Sequence, residues 1–222
     1  NIPAAELKPL VEKYIGSLPA TDSREKWVDW GIRPPRGKQE QEIEFMGLPS
    51  SIVVLSMTRE MDYNIRHNIC LEALKSILQT RCMNVIREKE GGTYAVNVNQ
   101  GVVYEPVAQY SMIVEFQCDP LNAAKLKGIV YGELERLRQQ VPSRDELMMA
   151  LNSIRKKEGE ARESNVYWQE KLVLYYRTGL NQADVREFEE IVDKLTPEDF
   201  LEFVREFWEN VDITDVVFKP KS

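Results

Sequence analysis

The stretch REKEGGTYAV, residues 87–96, contains the sharpest change of pattern in the chain. Before it, apolar residues recur at helical spacing from about residue 65 to residue 86, and after it apolar and polar residues alternate. Gly91 and Gly92 lie between the two patterns, and glycines at such a position are typical of a helix C-terminus. The stretch therefore predicts a long helix that ends at two glycines and is followed directly by a strand.

Strand patterns lie on both sides of this helix. EIEF (42–45) alternates and SIVVLSMTRE (51–60) is a longer apolar run, and we expect the two to form a hairpin because the GLPS between them has turn chemistry. After the glycines, strands are predicted at 93–103 and 108–117. In the second of these, alternate apolar residues share one face: Tyr110, Met112, Val114 and Phe116.

The rest of the chain predicts helices and one last strand. Helix starts are indicated by Asp119-Pro120, by a capping box of Ser143 and Glu146, by Asp184 and by Thr196-Pro197, with a further helix at 166–177 and a strand in DVVFKP (215–220). The order β-β-α-β-β, then helices and a terminal strand, predicts the α+β class. We expect a mostly antiparallel sheet with helices packed on one face.

The first forty residues predict a separate organisation. Apolar residues at helical spacing in 4–15 indicate one short helix, and the following GSLP ends it. The next stretch is polar, rich in proline and glycine and without a period. We therefore expect residues 1–19 to be the terminal helix of a preceding domain, residues 20–40 a linker, and residues 41–222 a domain of their own.

Composition excludes some partners. Acidic residues outnumber basic ones by 36 to 29, giving a formal net charge of −7, and this disfavours nucleic acid. Apolar runs such as 51–57 are far shorter than the roughly 20 residues of a membrane helix, so we expect a soluble chain without a membrane partner. Three cysteines without CxxC pairing are expected in the core. The compartment stays open, periplasmic or cytoplasmic if the source is bacterial.

His67 is the single histidine of the chain, and it lies at the start of the long helix. An HxxEH zinc motif starting there would need a glutamate and a second histidine, but those positions hold Cys70 and Leu71. We therefore expect a structural or surface role for His67. No metal site, cofactor or catalytic residue is predicted in these 222 residues.

VYWQEKLVLYY, residues 166–176, is the densest aromatic segment. It allows two interpretations, a binding face or a core helix. The density of apolar residues, Tyr167, Leu172 and Leu174 among them, favours the core.

Arg87 and Tyr94 are the candidate functional residues. Arg87 is placed in the last helical turns and Tyr94 near the start of the next strand, so both can lie at one end of the sheet. An arginine suits peptide carbonyls or carboxylates, and a tyrosine hydroxyl can donate to a carbonyl. The alternative is purely structural, because the helix dipole favours a cation near a C-terminus and tyrosine is common in strands.

IREKEGGTYAV (86–96) resembles the Arg-Glu…Gly…Tyr stretch in the C-terminal half of the pitrilysin/insulinase family of zinc metallopeptidases, which includes insulin-degrading enzyme and the mitochondrial processing peptidases. LVEKYIGSLP (10–19) is similar to the helix that ends one domain of that family, and LTPEDFLEFVREFW (195–208) is similar to its closing helix. The resemblance covers nearly all of the chain.

The resemblance implies a clamshell of four α+β domains that encloses a peptide-degrading chamber, with zinc bound by HxxEH in the first domain. This chain lacks that motif, so the resemblance implies a non-catalytic, C-terminal domain whose partners are an N-terminal catalytic half, in the same protein or a partner subunit, and a peptide substrate. It also implies that Arg87 and Tyr94 hold the substrate backbone. The alternative is a scaffold or assembly subunit with the same fold and no proteolytic role.

Overall fold

The computed structural model describes residues 2–21, 28–47, 49–90, 95–181 and 184–221, without the side chains of residues 87–90. They divide into two compact units, Asn1–Ile32 and Arg33–Ser222. The first contains helix α1 (Ala4–Tyr14), which buries none of its residues. The second contains every other strand and helix described below.

The second unit follows the order of elements that the sequence predicted. Its strands are β1 (Lys38–Phe45), β2 (Ser51–Glu60), β3 (Val96–Val103), β4 (Gln109–Cys118) and β5 (Asp212–Pro220). Its helices are α2 (Ile65–Glu90), α3 (Ala123–Gln139), α4 (Arg144–Ala161), α5 (Asn165–Thr178), α6 (Val185–Lys194) and α7 (Pro197–Trp208), with a 3₁₀ turn at Pro120–Asn122. None of the described helices has the length and apolar character needed to cross a membrane.

The five strands form one sheet in the order β1-β5-β2-β4-β3. Only the pair β1 and β5 is parallel, so the predicted α+β fold with a mostly antiparallel sheet is confirmed. The predicted hairpin of β1 and β2 is wrong, because β5 lies between them. β1 and β2 do run in opposite directions. Because neighbouring strands are about 4.8 Å apart, β1 and β2 are separated by about 10 Å, and β5 occupies the position between them.

The composition of β1 and β2 explains this arrangement. All eight residues of β1 (KQEQEIEF) are exposed, as expected of a charged edge strand. β2 (SIVVLSMTRE) buries alternate residues and half-buries those between them, which suits a strand with neighbours on both sides. Both edges of β2 are hydrogen-bonded, one to β5 and the other to β4.

The core lies between one face of the sheet and the helices. Tyr110, Met112, Val114 and Phe116 are at most 1% exposed, as their alternation predicted. Helices α2 and α3 pack on this face. The cysteines Cys70, Cys82 and Cys118 are free and buried, which confirms their core role, and burial raises the pKa of Cys70 and of Cys82 to about 12.

Helix starts follow the predicted capping residues with two differences. Asp119 caps the 3₁₀ turn Pro120–Asn122 and not α3, and the predicted capping box of α4 is incomplete. Thr196 forms a complete capping box with Asp199 at α7. At α4 the Ser143 hydroxyl accepts from the Glu146 amide, but the Glu146 carboxylate accepts two hydrogen bonds from Arg81 of α2, at 2.7 and 2.6 Å. The second half of the predicted box is thus replaced by a bidentate ion pair that joins two helices.

The core interpretation of residues 166–176 is wrong for most of that segment. In α5 only Tyr167 is buried and Leu174 is half-buried, whereas Leu172 is exposed. Apolar residues occur all around this helix, and the domain covers only one side of it.

We expect Glu146→Ala to lower the free energy of unfolding by roughly 1.5–3 kcal/mol, because it removes hydrogen bonds to a charged group that is shielded from solvent. The side chains of Arg81 and Glu146 are only 20% and 25% exposed. Glu135→Ala is the matched control, since it breaks a Glu–Arg pair whose side chains are 43% and 45% exposed and should cost less than about 0.5 kcal/mol. Urea denaturation measures both, and equal losses would contradict the assignment.

Candidate functional site

Arg87 lies in the last turn of α2, where the sequence placed it. Its side chain falls outside the described part of the structure, and Tyr94 lies outside the described residues altogether. The convergence of the two side chains therefore remains a prediction. The described residues on both sides of this pair define the framework that would hold it, which we call the α2–β3 junction (residues 79–90 and 95–98).

A single glutamine of α2 joins the helix to the first residues of β3. The side-chain amide of Gln79 donates to the carbonyl of Val96, and its Oε1 accepts from the amide of Val98 at 2.7 Å. The amide of Val96 contacts Met83 Sδ at 3.4 Å. Val96 thus directs both of its backbone polar groups towards α2 and away from β4. Side chains of α2 therefore bind one edge of β3 at its start, while the other edge pairs with β4.

Burial fixes the helix side of the junction. Cys82 and Ile86 of α2 are completely buried, as is Val96 at the start of β3. Ile86 directly precedes Arg87, so the backbone that carries Arg87 is held against the core up to the residue before it.

A cleft of about 470 Å³ lies beside the start of β3, on the sheet face that the helices leave open. Asn97 and Glu115 are cross-strand partners and line it, together with Gln117, whose amide donates to the Ser50 hydroxyl. Amide and carboxylate groups in such a cleft can bond the N–H and C=O groups of a peptide backbone. Ala95, another lining residue, is the nearest described neighbour of Tyr94.

The sequence reasoning did not single out Gln79, Asn97 or Glu115. The polar alternation of VNVNQ in β3 was the available signal for Asn97, because asparagine is uncommon in strands unless one face is solvated. Gln79 gave no local signal, since glutamine is an ordinary residue inside a helix.

His67 lies in the first turn of α2, where Asn64 Oδ1 accepts from its backbone amide at 2.7 Å. Its ring packs against Tyr110 and Phe203, with centroids at 6.1 and 5.4 Å, and its Nε2 lies 3.6 Å from Glu206 Oε2. Burial lowers the pKa of His67, and the nearby Glu206 carboxylate opposes this only in part.

Within the described ranges, no three His, Cys, Asp or Glu side chains come together in a way that could hold a metal ion. The neighbours of His67 are aromatic rings and one carboxylate. These described neighbours do not supply the three protein ligands that a zinc site at His67 would need.

The fold matches domains of known proteases. Over its whole length the chain superposes on 24% of the periplasmic protease PqqL from Escherichia coli, with a TM-score of 0.81 and 19% identity. It superposes equally completely on 52% of a peptidase M16 inactive domain from Pseudomonas fluorescens, with a TM-score of 0.73 and 17% identity. At these identities the likeness shows the fold.

The sequence identifies the family. Residues 1–154 match the model of the peptidase M16 inactive domain, so the chain belongs to the M16 peptidase family. This confirms the resemblance to the pitrilysin/insulinase proteases. A zinc protease PQQL-like protein of Arabidopsis thaliana is 22% identical over 121 residues, 52% of this chain and 13% of that protein. The chain therefore spans only a small part of that relative's length.

We expect Gln79→Ala to lower the free energy of unfolding by roughly 1–3 kcal/mol, because the buried carbonyl of Val96 and the amide of Val98 lose their partner. The amides at 96–98 should also exchange faster with solvent. Gln41→Ala on the exposed strand β1 is the control, with an expected change within about 0.5 kcal/mol. A Gln79→Ala protein as stable as the control would show that the junction holds without this amide.

We expect the stability of the chain to fall as the pH is lowered below the ordinary pKa of histidine, because the depressed pKa of His67 makes the unfolded state bind more protons there. The contribution is fully present above that pKa. Thermal unfolding between pH 7.5 and 5.5 measures it, and the decline should be weaker in His67→Gln, which contains no histidine. Parallel pH profiles for the two proteins would contradict the assignment.

Proposed function

We propose that this chain is the non-catalytic, substrate-binding C-terminal domain of a zinc-dependent endopeptidase. Its membership in the M16 family, through a match to the inactive domain, supports this. So does the single histidine, since HxxEH needs two. The catalytic half, with its zinc, would belong to the same polypeptide or to a partner subunit, and the peptide would be bound between the two halves.

We assign the same domain organisation as the sequence indicates, with residues 1–19 as the last helix of a preceding domain, 20–40 as a linker and 41–222 as the substrate-binding domain. The division of the structure into units Asn1–Ile32 and Arg33–Ser222 supports a boundary in this region. Residues 38–40 pair with β5, and Arg33 and Arg36 form ion pairs with Glu60, which favours a start of the substrate-binding domain at residue 33 instead of 41.

Arg87 and Tyr94 are proposed to hold the substrate backbone. The observation that carries this is the α2–β3 junction: Arg87 follows the buried Ile86, and Gln79 fastens the helix to the strand that begins two residues after Tyr94. A guanidinium can donate two parallel hydrogen bonds to peptide carbonyls, and a phenol can donate one.

The adjacent cleft supplies complementary groups. Asn97, Glu115 and Gln117 can accept from peptide amides, while Arg87 and Tyr94 donate to peptide carbonyls. An extended peptide presents both kinds of group. Donors on a wall that faces a catalytic centre complete the site when the two halves close, which couples enclosure of the substrate to its cleavage.

In the complete protein, Arg87→Ala and Tyr94→Phe should each lower kcat/KM for peptide cleavage by roughly 10- to 1000-fold, the scale for losing a donor to the transition state. The zinc content should stay unchanged because these residues are not ligands. Steady-state kinetics and metal analysis of the purified variants measure both quantities.

Arg144→Ala and Tyr14→Phe are matched controls, since both residues are exposed on other helices. They should leave kcat/KM within about two-fold. Unchanged kinetics in the Arg87 and Tyr94 variants would leave the two residues with structural roles. Absence of an HxxEH motif from both the complete protein and any partner subunit would favour the scaffold.

A further inference from the structure

Helix α5 presents a continuous apolar surface to solvent. Six of its side chains are between 40% and 82% exposed: Val166, Trp168, Leu172, Val173, Tyr175 and Tyr176. We call this set the α5 apolar face. At 100° per residue, these six positions cover about half of the helix circumference, and the polar residues Asn165 and Gln169 also lie within that half.

The opposite side of α5 already attaches the helix to the domain. Tyr167 is buried and its hydroxyl bonds Glu158 of α4, while Arg177 lies 3.0 Å from Glu105. The Ser164 hydroxyl caps the start and left-handed Gly179 ends the helix. The outward apolar side chains are therefore not needed to hold α5 in place. Their exposure to water is unfavourable and adds nothing to the stability of this fold.

The indole of Trp168 is held at one edge of this face. Its Nε1 donates to the carbonyl of Arg162 at 2.8 Å, and its ring meets that of Tyr167 edge to face at 5.2 Å. An indole whose polar atom is already satisfied presents the rest of its ring as a rigid apolar surface. Rigid aromatic groups of this kind are typical of the centres of protein interfaces.

The size and charge of the face favour one kind of occupant. It offers on the order of 500 Å² of apolar surface, below the roughly 800 Å² per partner of a stable dimer but suited to contacts between domains of one protein. A second copy is further disfavoured because each chain carries a net charge of −7. The chain spans only 24% of the PqqL protease, which leaves three quarters of a protein of that kind to supply a covering surface.

We propose that the α5 apolar face docks against an apolar surface on the remainder of the protease, outside these 222 residues. Besides apolar groups, that surface would carry hydrogen-bond acceptors for the hydroxyls of Tyr175 and Tyr176. This rests on the proposed function only in requiring a larger protein or a partner subunit. It does not depend on the roles of Arg87 and Tyr94.

The test is hydrogen exchange of the backbone amides of α5 in two contexts, the complete protein with its partner subunit if there is one, and the 222-residue chain alone. Exchange at 166–177 should be at least about ten-fold slower in the complete protein. The double variant Leu172→Glu with Tyr176→Glu should remove this difference while leaving the melting temperature of the chain alone within about 2 °C, since both residues are exposed.

Met149→Glu with Leu121→Glu is the matched control, because these residues are also exposed apolar side chains but lie outside α5. It should keep the slow exchange of α5. Equal exchange of α5 in both contexts overturns the proposal. Self-association of the 222-residue chain that the α5 double variant abolishes also overturns it, in favour of a second copy. Protection of α5 that appears only when peptide is added assigns the face to substrate instead.

The docking surface and the proposed function fail in different ways. Slow exchange of α5 in a complete protein that lacks peptidase activity would support the proposed docking surface and contradict the proposed protease function. Loss of activity in Arg87→Ala, with no protection of α5, would support the proposed protease function and contradict the docking surface.

Discussion

The pairing of β5 between β1 and β2 is the constraint on which the rest of the domain depends. β5 is an inner strand of the sheet although it lies at the C-terminal end of the sequence. Two of its aspartates form polar contacts with neighbouring elements. Asp212 accepts from the amide of Gly37 at 2.6 Å beside β1, and the buried Asp215 lies 2.9 Å from the Lys127 ammonium and 3.1 Å from the Tyr131 hydroxyl of α3. Without β5, β1 would lose its hydrogen-bonded neighbour in the sheet, and Lys127 and Tyr131 of α3 would lose their contacts with Asp215.

Local signals predicted the class and the order of elements, because helix caps, glycine stops and alternation act within a few residues. The partner of β1 could not be found in this way. GLPS (47–50) has the composition of a turn, and β1 and β2 on either side of it run in opposite directions. The neighbour of β1, however, comes from the far end of the sequence. The Glu146 side chain is similar: the capping pattern was present, yet a bidentate contact with Arg81 of another helix prevailed.

The candidate site and α5 show a second limit of the sequence. Apolar density predicts that a helix face will be covered, but not by what, so α5 appeared to belong to a core that this domain does not supply. Arg87 and Tyr94 were found through their position between a helix and a strand and through a family resemblance. Gln79 fixes the same junction, but it could not be identified from the sequence because its two hydrogen bonds connect residues on different elements.

The bonds of Gln79 also determine how this part of the sheet can meet other chains. β3 is an edge strand within the described sheet, and an edge normally offers its free N–H and C=O groups to any extended polypeptide. Here the side-chain amide of Gln79 already binds the carbonyl of Val96 and the amide of Val98. A further strand could pair with these two groups only by displacing Gln79. The start of β3 is therefore protected from edge-to-edge pairing and strand exchange with other chains.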